Sequence, residues 1–248
     1  MTISIPPTRR PVRLGRLAVI LVVIGGLAAV GLREMINSST FQLFGDYVAS
    51  VPTTEKVVAL TFDDGPHPMH TPRMLDLLDR HGVKATFFMM GRNVERFPDV
   101  ARQVLSRGHE VGDHSYSHPK LIFMWPAQVR EEIERTDQAL RRIGVTGPIH
   151  FRAPHASKFV VLPWVLTRMG RMNVLGDVDP EEWKRPPAPV MIQSVLDQVR
   201  PGSILGFHDV LGAATLEAVD AVLSTLTAQG YRFEKVSVFI QRRHPPGR

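Results

Sequence analysis

The chain has 248 residues, 44% of them hydrophobic, enough to bury a sizeable core in one large domain with an appendage and too apolar for a largely disordered protein. It has no cysteine, which removes disulfide frameworks, thiolate catalysis and cysteine zinc sites but leaves the compartment open. Of its net charge of +6, five charges (Arg9, Arg10, Arg13, Arg16 and Arg33) precede the first acid, Glu34, so the body carries only +1, which argues against nucleic acid as a partner.

Residues 1–16 are polar and basic, and 17–32 form an apolar run of sixteen residues without a charge. That is somewhat shorter than the roughly 20 residues of a typical spanning helix, so a cleaved signal peptide competes with an uncleaved anchor over 17–33. No convincing small-x-small cleavage site precedes a mature-looking start, which favours the anchor, and the arginines before the run orient the N-terminus to the cytoplasm. The expectation is a single-pass cell-membrane protein with the lipid bilayer as a partner and its body outside; secretion after cleavage is the alternative. Arg9-Arg10 also raises a twin-arginine export signal, which the following residues match poorly. Residues 34–54 read as a tether and lead-in segment, 55–240 as the folded domain and 241–248 as a basic tail.

From Lys56 onward short apolar runs alternate with longer helix-like stretches, which is α/β organisation. The patterns predict strands over 56–62, 85–90, 110–113, 149–152, 172–178, 203–207 and 231–236. Helices are predicted over 71–82, 94–108, 127–144, 160–170, 190–200 and 213–229. Gly82, Gly108, Gly144, Gly170 and Gly230 fit left-handed caps at helix ends. Seven strands with intervening helices suggest a barrel; an open doubly wound sheet fits the same periodicity.

The segment Leu60-Thr61-Phe62-Asp63-Asp64-Gly65-Pro66 is an apolar strand that ends in two carboxylates and a breaker. In parallel α/β folds the C-terminal ends of strands carry the chemistry. If the backbone is still extended there, the two side chains point differently, so one carboxylate could hold a metal while the other faces substrate or water. A solvated Asp-Asp-Gly turn is the alternative. Further on, Gly112-Asp113-His114-Ser115-Tyr116-Ser117-His118 places two histidines four positions apart after another short strand. On a helical turn these imidazoles would point the same way and, with Asp64, make a three-ligand metal site with room for water. His109 lacks a comparable setting and reads as structural.

Thr61-Phe62-Asp63-Asp64-Gly65 and His114-Ser115-Tyr116-Ser117-His118 resemble the first two signature motifs of the polysaccharide deacetylases, the NodB-homology or carbohydrate esterase family 4 enzymes. The resemblance covers roughly 55–240. It implies a distorted (β/α)7 barrel that removes N-acetyl or O-acetyl groups from sugar polymers, with Asp63 as general base and Asp64, His114 and His118 as ligands of one divalent metal. Zinc is the first choice; cobalt, nickel or iron suit the same donors. Arg152-Ala153-Pro154-His155 is similar to the family's Arg-x-Pro-Tyr, which implies that Arg152 holds Asp63 and that the backbone of His155, beside Pro154, faces the oxyanion. Asp179-Pro180-Glu181-Glu182-Trp183 looks like Asp-x-x-Asp-Trp, with Glu182 in place of the second aspartate. Asp179, favoured over Asp177 by its spacing to Trp183, is the expected orienting carboxylate, and Trp183 an apolar wall. Gly206-Phe207-His208 resembles Leu-x-His. It implies His208 as general acid, with Gly206 at the wall of the acetyl pocket and Phe207 as a neighbour able to fill it.

The implied substrate is an acetylated polysaccharide of the cell envelope or outside the cell. A small-molecule amide or imide hydrolase of the same fold and an inactive membrane-tethered glycan-binding protein are the alternatives. The polymer and the oligomeric state are not encoded in any motif.

Overall fold

This computed structural model of the protein describes residues 11–243. The remainder of the expected basic N-terminus, 1–10, and of the tail, 244–248, lies outside the described residues. The basic segment is already helical at its end, because α1 spans Pro11–Ile36. Its stretch Leu17–Ile36 has 20 residues, a mean hydropathy of 2.1 and no buried part, so it is long and apolar enough to cross a membrane. The sixteen-residue apolar run is thus lengthened by a last helical turn in which Arg33 and Glu34 pair at 3.0 Å.

The segment expected to be a tether is instead docked. β1 (Tyr47–Val48) runs parallel to β5 (Asn173–Val174), and Val48 and Val51 are buried. The folded body therefore begins well before residue 55.

The sheet is built around β2 (Val57–Asp63), with parallel neighbours β3 (Thr86–Met89) and β6 (Ile204–His208); β4 (Glu110–Asp113) pairs with β3, and β7 (Arg232–Glu234) with the start of β2. Single parallel bridges link Asp113 to Phe151, Phe151 to Asn173 and Val178 to Leu205, which carries the ladder from β4 round to β6 and closes the ring. The expected strands 149–152 and 172–178 are thus reduced to the single residue Phe151, bridged on both sides, and to β5 plus the bridge at Val178. That is the distortion of the (β/α)7 barrel.

Helices α2 (His70–Arg80), α4 (Pro98–Ser106), α7 (Ala188–Gln198) and α8 (Ala213–Ala228) cover the outside. Two more, α5 (Pro126–Arg142) and α6 (Val161–Arg168), pack around Phe151. The helix expected over 94–108 is two helices. α3 (Gly91–Arg96) ends at Phe97, whose φ of −131° and ψ of 56° are not helical, and Pro98 starts α4 at the one place where its missing N–H costs nothing. The chain finishes in α9 (Val236–Arg243), which buries Val236 and Phe239; residues 241–243, expected in the tail, belong to it.

Alternation along β2 divides the core. Val58, Leu60 and Phe62 face the outer helices, whereas Val57 and Ala59 line a second cluster with Phe88, Val174, Ile204 and Phe239. Phe62 stacks on Phe87 at 4.9 Å, which fixes the strand immediately before Asp63.

Candidate active site

The two-residue period carries Thr61 and Asp63 to the inner face of β2, opposite Phe62. Arg152 reaches the same space, donating through Nη1 to Asp63 Oδ1 at 2.8 Å and to Thr61 Oγ1 at 2.7 Å. Its Nε and Nη2 donate to the carbonyls of Val174 and Leu175, each at 3.1 Å, and the guanidinium lies 4.3 Å from the centre of the Phe88 ring. Every edge of the fork is engaged, so Arg152 is a fixed cation that aims the Asp63 carboxylate.

Asp64 follows with φ 73°, a left-handed conformation that turns its side chain away from Asp63. Asn93 Nδ2 donates to its carbonyl at 2.8 Å. Its Oδ1 lies 3.2 Å from His118 Nε2 and 3.5 Å from His114 Nε2, is buried, and has no hydrogen-bond partner. Burial raises the pKa of Asp64, but the histidines His118, His114 and His208 outweigh it and hold the carboxyl below the usual range. Glycine at 65 is required by close approach: a Cβ there would sit 2.6 Å from Asp209 Oδ1.

His114 is buried at the end of β4. Its Nδ1 donates to the Arg152 carbonyl at 3.0 Å, and since a carbonyl only accepts, the lone pair is on Nε2, toward Asp64. Burial lowers its pKa to about 4 and keeps it neutral. The helical turn expected between the two histidines is absent. Ser115 and His118 have φ of 62° and 63° in a loop, and the His118 N–H donates to Ser115 Oγ at 3.1 Å, which brings the rings to 5.1 Å.

One donor atom from each of Asp64, His114 and His118 lies within 4.8 Å of the others. Two imidazole nitrogens around a partnerless buried carboxylate oxygen fit a divalent cation, whose charge would satisfy that oxygen. Non-glycine residues at positive φ cluster here, at Asp64, Ser115, His118 and His155, a strain that the surrounding bonds hold in place.

Across the mouth, His208 ends β6. Glu182, itself buried, accepts through Oε2 from the His208 backbone N–H at 2.7 Å and from Nδ1 at 3.0 Å, while the Thr215 hydroxyl donates to Oε1 at 2.5 Å. Burial lowers the pKa of His208, but Glu182 together with Asp63 and Asp64 outweighs that and pushes it up to about 9. Asp179 does not take this place. It is exposed, and its Oδ1 accepts from the Glu181 N–H at 2.7 Å in a local turn, so the orienting carboxylate is Glu182, three residues on.

Phe207 is also displaced from its expected position. On β6 the period of two puts Gly206 and His208 on the inner face and Phe207, fully buried, among the outer helices beside Phe62. Around a Cβ placed at Gly206 the nearest atoms are Arg152 Nη1 and the Val178 carbonyl, both at 3.9 Å, so a first side-chain carbon fits in ordinary contact. Pro154 is buried. His155 has φ 57° and an exposed side chain with its ring 4.3 Å from His118, and Trp183 stands 68% exposed beside Glu182.

Sequence reasoning overlooked Thr61 as a partner of Arg152, Thr215 as a partner of Glu182, and Asp209, which burial pushes up to about 7 and which accepts from the Thr71 hydroxyl. Asp209 directly follows His208 after an apolar strand, and that position was the available signal. His109 is structural as expected, its Nδ1 accepting the Ala85 N–H at 3.1 Å.

A parallel barrel with a carboxylate–arginine pair, a two-histidine and aspartate cluster and a carboxylate-held histidine at the strand ends defines a hydrolase of the carbohydrate-esterase class. The polysaccharide deacetylase profile matches residues 50–174. The peptidoglycan-N-acetylglucosamine deacetylase of Bacillus cereus is 36% identical over 191 residues, 75% of this chain and 69% of the relative. The chitooligosaccharide deacetylase of Azorhizobium caulinodans is 34% identical over 200 residues, 75% of this chain and 95% of the relative. Among solved structures, the Bc1960 peptidoglycan N-acetylglucosamine deacetylase superposes with a TM-score of 0.74 at 34% identity, covering 78% of this chain and 92% of that one. The CE4 family pseudoenzyme BA3943 of Bacillus anthracis gives the same TM-score at 27% identity, covering 81% and 70%. The chain belongs to the polysaccharide deacetylase family and is a deacetylase enzyme.

Proposed function

We propose that this protein is a metal-dependent N-deacetylase of an N-acetylglucosamine-containing envelope polysaccharide, held by α1 in the cell membrane with its catalytic domain outside the cytoplasm. The observation that carries the chemistry is the pairing of Arg152 with Asp63 on one side of the mouth and Glu182 with His208 on the other. An amide needs a base to take the proton of water and an acid to protonate the departing amine, and the two ends of that transfer require opposite protonation at one pH. Asp63, aimed by the Arg152 guanidinium at 2.8 Å, accepts the proton of water. His208, kept cationic up to about pH 9, gives its proton to the sugar nitrogen, leaving acetate and a free amine. Asp64, His114 and His118 would hold the metal, zinc by first choice, which when bound supplies Lewis acidity at the acetyl carbonyl. The backbone N–H of His155 would face the developing oxyanion.

The N-acetyl preference follows the two deacetylases named above, both described as acting on N-acetylated sugars or chitooligosaccharides. Activity rather than a binding role alone is supported by Asp63, Asp64, His114, His118 and His208 lying together at the strand ends. The deciding experiment is acetate release by the zinc-loaded protein from N-acetylglucosamine oligomers and peptidoglycan, against acetylated xylan. Release from the N-acetyl substrates supports the reading; release from xylan alone makes the protein an O-deacetylase.

A further inference from the structure

We infer that the catalytic cleft is held at a short, fixed distance from the bilayer, and that the substrate is a glycan presented on the membrane itself, an N-acetylated sugar oligomer linked to a lipid. This rests on the deacetylase and membrane-anchor reading above.

The chain between the membrane span and the barrel has no slack. Ile36, the last residue of the span, gives its carbonyl to the Lys158 N–H at 2.9 Å, and Ser39 gives its carbonyl to the Gly176 N–H at 3.3 Å. Gln42 Oε1 accepts from Asn173 Nδ2 at 2.8 Å, Asp46 from the Asn173 N–H at 3.0 Å, Val48 from the Leu175 N–H at 2.7 Å, and the Val51 N–H donates to Gly202 at 2.8 Å. A flexible linker of the twenty or so residues read as a tether would let the domain wander by about 25 Å; this one is stitched down throughout.

Lys158 is the knot. It is 2% exposed, and its ammonium donates to the carbonyls of Ser38 and, at 3.0 Å, of Ala156. Burial lowers its pKa to about 8, the cost of a cation solvated by carbonyls. Ala156 adjoins His155, whose ring is 4.3 Å from that of the metal-site residue His118. From Lys158 back to His155 is three residues, at most about 11 Å of chain. With the side-chain lengths added, the metal-site residues lie within roughly 25 Å of the end of the span.

An apolar rim supplies a second, independent contact with the bilayer. Phe41, Leu43 and Phe44, just beyond the span, are exposed by 41%, 47% and 39%, and Val160 and Trp164 by 43% each. The two groups adjoin, because a Cβ at Gly45 would be 2.7 Å from Thr167 Oγ1 and 3.3 Å from the Pro163 carbonyl of α6. Arg168 lies 5.3 Å over the Trp164 ring. Exposed aromatics with an adjacent arginine, next to a span, suit the headgroup layer. The segment 155–160 therefore has a catalytic residue at one end and a membrane-facing one at the other. A lipid-carried glycan is brought to such a cleft at the effective concentration of a tethered ligand.

The test uses the full-length, zinc-loaded protein in vesicles of phosphatidylethanolamine and phosphatidylglycerol. An N-acetylglucosamine tetramer is offered free, coupled directly to a diacyl lipid in the same vesicles, or coupled through a long polyethylene glycol spacer. The directly coupled tetramer should release acetate at least tenfold faster than either other form at equal bulk concentration. Inserting twenty Gly/Ser residues between Asn37 and Ser38, where the side chain is exposed, should abolish the difference between direct and spaced substrates. Equal rates on free and directly coupled tetramer overturn the inference while leaving the deacetylase intact. A preference unchanged by the insertion also overturns it, because co-localisation without a fixed distance would then suffice. No acetate from any form removes the deacetylase reading and the inference together.

Discussion

Glu182 Oε2 holds His208 twice, through the backbone N–H at 2.7 Å and through Nδ1 at 3.0 Å, so one buried carboxylate fixes both the position and the proton of the imidazole. The same contact stabilises imidazolium, and His208 accordingly titrates near pH 9. As general acid it must be protonated, so activity should fall as pH rises through that value. Glu182→Gln keeps the shape and removes the charge. Its pH profile for kcat/KM should have its upper limb moved to lower pH, with kcat reduced at least tenfold at pH 8 and far less at pH 6. An unmoved upper limb would assign that limb to another group.

Metal removal should abolish turnover, and zinc or cobalt should restore it. The two neighbouring aspartates should then separate. Asp63→Asn leaves the Asp64, His114 and His118 cluster intact, so it should retain metal binding while losing about 100-fold or more in kcat. Asp64→Asn should lose metal affinity first. Metal content by emission spectroscopy beside kcat distinguishes them, and the reverse pattern would exchange the two roles.

Much of this site was legible because it depends on short-range periods. Asp63 and Phe62 occupy opposite faces of β2 as any extended pair does, and the same rule applied to β6 would have sent Phe207 to the outer core, where it lies. The reading of Asp179 as the orienting carboxylate failed for a different reason. Spacing to Trp183 measures position along the chain, whereas the left-handed Glu181, at φ 56°, turns the chain so that the next residue, not the earlier aspartate, meets His208. Docking of the supposed tether was illegible, since Lys158 finds its partners 120 residues away. Barrel closure through single bridges was equally hidden, as one-residue pairings leave no period to read.

Acid stability should carry the mark of His109. Burial lowers its pKa to about 4 from 6.5, so between those values only the unfolded chain takes up the proton. Folding stability is therefore complete above pH 6.5 and declines as pH falls toward 4, by up to about 3 kcal/mol from this residue. His109→Asn can still accept the Ala85 N–H but has no proton to take up. Its denaturation midpoint should vary less than that of the unmutated protein across pH 4 to 6.5, measured in denaturant titrations. An identical slope would place the acid-sensitive proton elsewhere.

The last prediction concerns Gly206, where a first side-chain carbon would fit. Family resemblance implies that a leucine here walls the acetyl pocket, and glycine leaves that wall without a side chain. Phe207, the neighbour expected from the sequence to fill it, does not: it faces the outer helices, and the nearest atoms to a Cβ at this position are Arg152 Nη1 and the Val178 carbonyl at 3.9 Å. Those distances are ordinary contact, so the first carbon of a leucine fits without moving the backbone. A pocket larger by about an isobutyl group gives up contacts with an acetyl methyl but accommodates longer chains, and one or two methylenes are worth about 1 to 3 kcal/mol. N-propionyl and N-butyryl glucosamine oligomers should then be hydrolysed with kcat/KM within about tenfold of the N-acetyl substrate. Gly206→Leu should restore acetyl preference by lowering kcat/KM for the longer acyl groups at least tenfold. Because the added side chain would also lie against the guanidinium that holds Asp63, the comparison must be made across the acyl series within each protein, where any general loss of rate cancels. Strong acetyl selectivity in the unmutated protein, unchanged by Gly206→Leu, would mean that the pocket is walled from another loop and that glycine serves only to give Arg152 room.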